Sequence, residues 1–254
     1  MTLPSHIMGR EDFFMLGLLT WMEPQKGKRQ KKITIQETAI LHMRCQQAEV
    51  LRGPHTSRSV LRRRITEALK RMKKSGVTRV ILPEEYRGNL PDGVIEVSTL
   101  PLRKAMAANW VQYALAQKGV AGTRVGVSSQ TLTGEVVRTV TELALRYRYV
   151  SICLPYGGEE LTQRLRREYG VSLLLNPEPA QMEEVEALVL FHERTDLSGR
   201  NPVVIPIYDE TVSMPPMLLP TAMEERLPPD VNRTQLFAAL MQAGVIRPGT
   251  DLTF

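Results

Sequence analysis

The stretch that decides the fold class is RVGVSSQTLTGEVVRTV, residues 124–140. It begins with alternating valines typical of a buried strand, continues through a polar turn, and then takes the spacing of an amphipathic helix. In open α/β proteins such a turn commonly holds a ligand phosphate, because backbone N–H groups converge at the helix N-terminus. The stretch therefore predicts an α/β protein and raises the question whether this turn binds a phosphate.

Strands and helices continue to alternate from this stretch to residue 191. Short apolar segments separated by helices are typical of a parallel sheet that is covered by helices on both faces. We therefore predict an α/β fold with a mostly parallel sheet and a Rossmann-like C-terminal half. The predicted strands are residues 124–128, 149–154, 171–175 and 188–191, and the predicted helices are residues 134–147, 159–169 and 180–186.

Three further segments complete the C-terminal half. Residues 202–208 predict an edge strand, since Pro202 and Pro206 lack the N–H groups that a central strand needs. Residues 209–231 are rich in Pro and Met and predict a strap over the surface. Asn232 is placed to cap a final helix.

The order of elements from 124 to 191, introduced by QKGVAGTRVGV, resembles the Rossmann-like nucleotide-binding half of two-domain dehydrogenases of the shikimate and amino-acid types. The resemblance implies a dinucleotide held by three closely spaced glycines in the first turn. It also implies an acidic residue at the tip of the second strand, which binds the ribose.

The sequence departs from that pattern in the features that hold the dinucleotide. The first turn reads VGVSSQTLTGE, with Gly126 inside the strand and Gly134 at the helix opening. Glu135 stabilises the helix dipole but repels a phosphate. The second strand ends in LPYGGE, without a carboxylate directly at its tip. We interpret this half as a degenerate dinucleotide-binding fold, and the sequence names no cofactor.

Two strand-to-helix loops nevertheless supply candidate ligand-binding residues. Hydroxyl and backbone N–H groups in the first loop can bind a small anionic or nucleotide-like ligand, and paired glycines in the second let a ligand approach the backbone. His192, beside Glu193 at a strand end, is a candidate acid or base. For each residue taken singly, a structural role as a cap or turn is favoured. The candidate ligand-binding residues are Ser128, Ser129, Thr131, Thr133, Gly134, Gly157 and Gly158.

The chain as a whole predicts three parts. Residues 1–31 predict an N-terminal extension with a basic linker, residues 32–119 a smaller α/β lobe, and residues 120–254 the Rossmann-like lobe. The basic linker also fits a fold that starts downstream of Met1.

The smaller lobe is predicted from local patterns. Residues 32–43 favour a strand, although Thr34 and Glu37 also form a capping-box pattern typical of a helix. Apolar residues at helical spacing predict a helix over 58–74. The remaining predicted elements are strands at 77–83 and 93–98 and a helix at 101–118.

The predicted helix over 58–74 is strongly basic. The protein has a net charge of +6 and a pI near 9.4, and this helix holds eight Arg or Lys against the single acid Glu67. Such a ridge permits contact with nucleic acid, although a solvated helix face is favoured because aromatic residues for base stacking are absent from it. The candidate residues for nucleic acid are Arg62, Arg63, Arg64, Lys70 and Arg71.

The remaining signals concern compartment and metals. The apolar run over 13–22 is far shorter than the roughly 20 residues of a membrane span, so no membrane association is expected. Cys45 and Cys153 form no disulfide framework, which favours the cytoplasm. His42 and Cys45 have an H-x-x-C spacing but no further ligand pair, so no metal site is predicted.

Three functions are consistent with these patterns. The favoured one is a ligand-binding or interaction module on the degenerate Rossmann-like fold. The second is a nucleotide-using or dehydrogenase-like enzyme, which requires the two loops and His192 to converge at one edge of the sheet. The third is a nucleic-acid-associated protein that uses the basic helix. The sequence does not decide the oligomeric state.

Overall fold

The computed structural model describes residues 16–25, 30–86, 88–197 and 199–254. The predicted α/β class is confirmed, since the described residues form two five-stranded, mostly parallel sheets with helices packed against them. The chain divides into two compact units. The first runs to Val97 and includes Arg226–Leu236, and the second consists of Ser98–Glu225 and Phe237–Phe254.

The first unit contains one mixed sheet and a basic helix. Its sheet has the order β2-β3-β1-β4-β5, in which β2 and β3 form an antiparallel hairpin and the other neighbours are parallel. Helix α1 buries Ile65, Ala68, Leu69 and Met72, as its periodicity predicts. The elements are β1 (Leu16–Met22), β2 (Ile33–Ile40), β3 (Met43–Leu51), α1 (Arg58–Lys74), β4 (Arg79–Ile81) and β5 (Ile95–Glu96).

Two features of this unit differ from the sequence-based expectation. The region up to residue 31 was predicted to be an extension, but it contains β1, which is the central strand of the sheet. Its residues Leu18 and Leu19 are fully buried on opposite sides of the sheet, so β1 is part of the core. Residues 1–15 and 26–29, with parts of the apolar run and the basic linker, lie outside the described residues. Strand β3 was not predicted, because its sequence MRCQQAEVL is half polar.

The second unit contains an entirely parallel sheet of order β10-β9-β6-β7-β8. Counted from β6, this is the strand order 3-2-1-4-5 of a doubly wound Rossmann-like fold. The strands are β6 (Arg124–Ser128), β7 (Tyr149–Cys153), β8 (Leu173–Leu175), β9 (Ala187–Leu190) and β10 (Val203–Pro206), and β10 lies at the edge as predicted.

Helices cover both faces of this second sheet. One core contains side chains of α2, α3 and α4 together with the strands, and a second core contains Met182 and Val185 with Leu188 and Leu190 of β9. These helices are α2 (Leu100–Gln117), α3 (Gly134–Arg146), α4 (Gly158–Tyr169) and α5 (Pro179–Glu183). The remaining helices are α6 (Thr221–Glu224) and α7 (Arg233–Gln242), and the division between the units falls within α7, after Leu236. Asn232 caps α7 by accepting from the Gln235 N–H at 2.9 Å.

The division between the units falls between Val97 and Ser98, whereas the sequence suggested a boundary after residue 119. The physical reason is the packing of α2. Its residues Ala107, Val111 and Leu115 belong to the core of the second sheet, so the helix opens the second unit.

Candidate functional site

The candidate site lies where β6 and β9 end side by side. In a doubly wound sheet the chain leaves these two strands in opposite directions, and ligands bind in the crevice between them. Ser128 pairs with Leu190 at the last register position, and the Phe191 N–H donates to the Ser128 carbonyl at 2.9 Å. The turn after Ser128 and the loop after Phe191 therefore start at the same edge.

Ser128 and His192 are in direct contact across this crevice. The Ser128 Oγ lies 3.1 Å from His192 Nε2, and His192 Nδ1 lies 2.8 Å from the Glu193 carbonyl oxygen. Because a carbonyl only accepts, Nδ1 carries a hydrogen, and in the neutral imidazole Nε2 then accepts from the Ser128 hydroxyl. His192 thus lies at the same sheet edge as the turn after β6, as a site formed by both loops requires. Both of its ring nitrogens are hydrogen-bonded within the protein, and its role as an acid or base stays a prediction.

Arg194 joins the same cluster, and sequence reasoning did not identify it. Its Nη1 donates to Ser128 Oγ at 3.1 Å, and its guanidinium also contacts the Cys153 thiol at the end of β7. Its Nε donates to Asp196 Oδ1 at 2.8 Å, and Nη2 donates to Asp196 Oδ2. The guanidinium therefore contacts Ser128 and Cys153 at the ends of two strands, while its Nε and Nη2 atoms bind the Asp196 carboxylate.

The electrostatics of this pair are strongly coupled. The hydrogen bond to Asp196 raises the pKa of Arg194, against the opposing effect of burial. The same hydrogen bond lowers the pKa of Asp196. The Arg194 side chain is 13% exposed and that of Asp196 is 50% exposed, so the pair reaches from the protein interior to solvent.

The polar turn after β6 is occupied by its own hydrogen bonds. Ser129 Oγ donates to the Thr131 carbonyl at 2.8 Å, and the Ser129 N–H donates to the Cys153 carbonyl at 3.1 Å. Thr133 is the N-cap of α3, and its Oγ1 accepts from the Val136 N–H at 3.4 Å. The hydroxyls predicted to contact an anion thus first shape the turn.

Glu135 completes the closure of the α3 N-terminus. Its carboxylate accepts from its own backbone N–H and from the Thr133 hydroxyl, which lowers its pKa. A phosphate at this position would meet a negative charge. Gly134 is exposed, and a Cβ there would meet nothing within 4 Å, so neither close contact nor a positive φ requires glycine at this position.

The second loop is adjacent to the first, and its glycines have structural roles. Gly157 has a φ of 78°, and a Cβ there would lie 3.0 Å from Leu132 of the first turn. Gly158 is buried, with the Leu175 side chain where its Cβ would stand. Tyr156 is 85% exposed. Ligand binding by the two glycines stays a prediction.

A second carboxylate closes the N-terminus of α2 at the same sheet edge. Lys118, just past the end of α2, donates to the carbonyl of Pro202 before β10, so the start of α2 faces the carboxyl end of β10. There the Glu210 carboxylate accepts from Thr99 Oγ1 at 2.8 Å, from the Leu100 N–H at 3.0 Å and also from the Thr99 N–H. It also accepts from Ser98 Oγ at 3.1 Å.

Arg103 supports this second closure from the interior. It is 2% exposed, its Nε donates to Thr99 Oγ1 at 3.1 Å, and its Nη2 donates to the carbonyls of Glu210, at 3.2 Å, and Val212. The guanidinium also lies over Trp110, 5.6 Å from the ring centroid. Burial lowers the pKa of Arg103, and the nearby Glu210 and Asp209 oppose this effect. The contact between Arg103 and Glu210 was not predicted from the sequence, because the two residues are 107 positions apart in the chain.

The basic helix in the first unit is partly engaged. Arg64 Nη1 donates to the Leu51 carbonyl at 2.5 Å, and Arg71 forms an ion pair with Glu67. Arg62, Arg63 and Lys70 are exposed. Nucleic-acid binding by these five candidate residues stays a prediction.

The described residues contain two cysteines and no candidate metal site. Cys45 and Cys153 are both free thiols, and burial raises the pKa of Cys45 to about 11. Residues 16–25, 30–86, 88–197 and 199–254 hold no group of three or more His, Cys, Asp or Glu side chains placed to bind a metal. Within the same residues, no helix is both long and apolar enough to span a bilayer.

The chain was compared with family models, curated proteins and solved structures. No family model matches the chain, and no curated protein matches it. Among solved structures, the chain is similar to L-tryptophan dehydrogenase from Nostoc punctiforme, at 10% identity and a TM-score of 0.29. The match covers 63% of this chain and 50% of that enzyme.

Proposed function

We propose that the second unit binds a small anionic ligand where β6 and β9 end, without the diphosphate contacts of a dinucleotide-binding domain. The observation that carries the proposal is the position of Arg194, which is hydrogen-bonded to the buried Ser128 hydroxyl and is 13% exposed at the crossover point of the sheet. Ligands of doubly wound folds bind at this point. A fixed guanidinium there is a natural contact for a carboxylate or phosphate.

The closed N-terminus of α3 supports the exclusion of a dinucleotide. A diphosphate needs free N–H groups at this helix and a backbone it can approach closely. Here the Thr133 hydroxyl accepts from the Val136 N–H, and the Glu135 carboxylate accepts from its own N–H and adds a negative charge. In the proposed site Arg194 contacts the ligand, whereas Ser128 and His192 act as positioning residues. A cytoplasmic location and the absence of a membrane partner remain predictions.

The test is calorimetry of the full chain with two groups of compounds. Acetate, succinate and inorganic phosphate are expected to bind weakly. NAD, NADP, ATP and S-adenosylmethionine are expected not to bind in the micromolar range. Micromolar affinity for either dinucleotide would contradict the proposal.

A matched pair of variants locates the binding. Arg194→Lys keeps the charge but loses the planar fork, so binding of the small anions should fall at least about tenfold. Arg167→Lys makes the same exchange at an exposed position in the last turn of α4, away from the site, and should leave binding unchanged. Equal binding by both variants would place the anion elsewhere.

A further inference from the structure

We infer that Asp196 is an internal competitor for the ligand, and that the ligand carries a carboxylate that takes the place of Asp196 on Arg194. This inference rests on the proposed function, because it specifies the ligand class and the regulation of the same site.

The contact between Arg194 and Asp196 has the geometry of a ligand complex. Arg194 Nε and Nη2 donate to the two different oxygens of one carboxylate, with Nε to Oδ1 at 2.8 Å. This two-point contact matches the planar fork of arginine to the planar carboxylate. The Asp196 side chain therefore occupies the position in which a free carboxylate would bind.

The two partners are held very differently. Arg194 is 13% exposed, and it binds Ser128 through Nη1, a nitrogen that Asp196 does not use. The Asp196 side chain is 50% exposed and belongs to a loop outside the helices and strands. A displaced Asp196 carboxylate regains water at little cost, whereas a displaced Arg194 would lose partners in a mostly buried position. Exchange of the anion is therefore expected at Asp196.

Competition by a tethered group sets the strength of binding. A carboxylate tethered close to its partner acts at an effective concentration on the order of millimolar. A small acid that offers only the same contact must compete with that concentration. A ligand that binds more tightly than acetate must therefore make further contacts in the crevice. The exposed Thr131, which lies beside Ser129 in the turn after β6, can supply one of them.

The experiment compares Asp196→Asn with Asp92→Asn, which removes an exposed carboxylate in the first unit. Calorimetry of both full-length variants is carried out with acetate, succinate and inorganic phosphate. Acetate and succinate should bind Asp196→Asn about tenfold more tightly than they bind the natural chain, and Asp92→Asn should show no change. The double variant Arg194→Lys with Asp196→Asn should lose this gain.

Each contrary outcome has a distinct meaning. Unchanged affinity in Asp196→Asn, with binding that still depends on Arg194, would overturn the competition and leave the proposed function standing. A gain for phosphate without a gain for the carboxylates would overturn the ligand class. No binding of any small anion to any variant would overturn the proposed function itself.

A measurement on the natural chain covers the case in which Asp196→Asn fails to fold. The side-chain Nε–H signal of Arg194 in a ¹⁵N spectrum, assigned with Arg194→Lys, should shift in a saturable way as acetate is added. A signal that does not move while acetate binds elsewhere would overturn the inference.

Discussion

The N-termini of α2 and α3 both open at the carboxyl edge of the second sheet, and each is closed by a glutamate of the chain itself. At α3 the closure is local, since Thr133 and Glu135 lie at the cap and in the first turn. At α2 it is distant, since Glu210 reaches Leu100 across 110 positions and is joined by the buried Arg103. The comparison teaches that a local cap stabilises one helix, whereas a distant cap also fixes the tertiary position of the loop after β10.

The largest effect is expected from Arg103→Leu. The substitution removes a buried guanidinium and leaves the carbonyls of Glu210 and Val212 without their donor. Loss of one member of such a buried network should lower the free energy of unfolding by about 3 kcal/mol. Urea denaturation measures this loss.

The control for Arg103→Leu is Arg167→Leu, at an exposed position in the last turn of α4. Surface substitutions of this kind usually change stability by less than about 0.5 kcal/mol. Similar losses in the two variants would show that the distant closure is no stronger than an ordinary surface contact.

A smaller effect is expected from Glu210→Gln. The amide keeps an accepting oxygen but loses the charge that strengthens the contacts with Thr99 and Leu100. Because Glu210 is partly exposed, the expected loss at pH 7 is about 1.5 kcal/mol, at the lower end for charged hydrogen bonds. Thermal unfolding of Glu210→Gln beside the natural chain measures it.

The pH dependence of that difference has a definite sign. Partial burial acts to raise the pKa of Glu210, but the hydrogen bonds from Thr99, Ser98 and Leu100 together outweigh it, so the pKa is lowered. A group whose pKa is lowered by folding stabilises the protein above its unfolded pKa. The gap between natural chain and variant should therefore be full at pH 7 and shrink as the pH falls through the folded pKa of Glu210. A gap that widens in acid would contradict the assignment.

The same contrast between local and distant contacts explains what the sequence could predict. Strand β6 and helix α3 begin at the predicted residues 124 and 134, because alternation, a cap and helical spacing are all local signals. The hairpin between β2 and β3 escaped prediction because Leu41 and His42 take positive φ angles of 46° and 74° without the glycine or asparagine that usually marks such a turn.

In the candidate site, too, the residues with local sequence signals were predicted and those joined by distant contacts were not. Ser128 and His192 were predicted because polar residues at strand ends are visible in the sequence. Arg194 and Asp196 follow the same strand end in the motif HERTD, and the rule that ligands bind where the strand order reverses could have drawn attention to them. Glu210 and Arg103 could not be paired, because the packing of α2 against β10 brings them together.

At α3 a moderate effect is expected from Thr133→Ala. The Thr133 hydroxyl accepts from the Val136 N–H, and removal of such an N-cap typically costs about 1 kcal/mol. Thr133→Ser keeps the hydroxyl and should retain most of the stability. If Thr133→Ala cost more than Arg103→Leu in the same urea series, the ranking of the two closures would be reversed.

The smallest effect is expected from Glu135→Gln. This substitution is informative in double-mutant cycles with Thr133→Ala and with Glu210→Gln. An exposed acid in a first helical turn contributes about 0.3 kcal/mol. Because the Thr133 hydroxyl donates to Glu135, a double-mutant cycle with Thr133→Ala should show coupling. A cycle with Glu210→Gln should be additive within about 0.3 kcal/mol, since the two closures share no partner. Coupling between Glu135 and Glu210 would mean that the N-termini of α2 and α3 respond as one unit, and the separation into a local and a distant closure would fail.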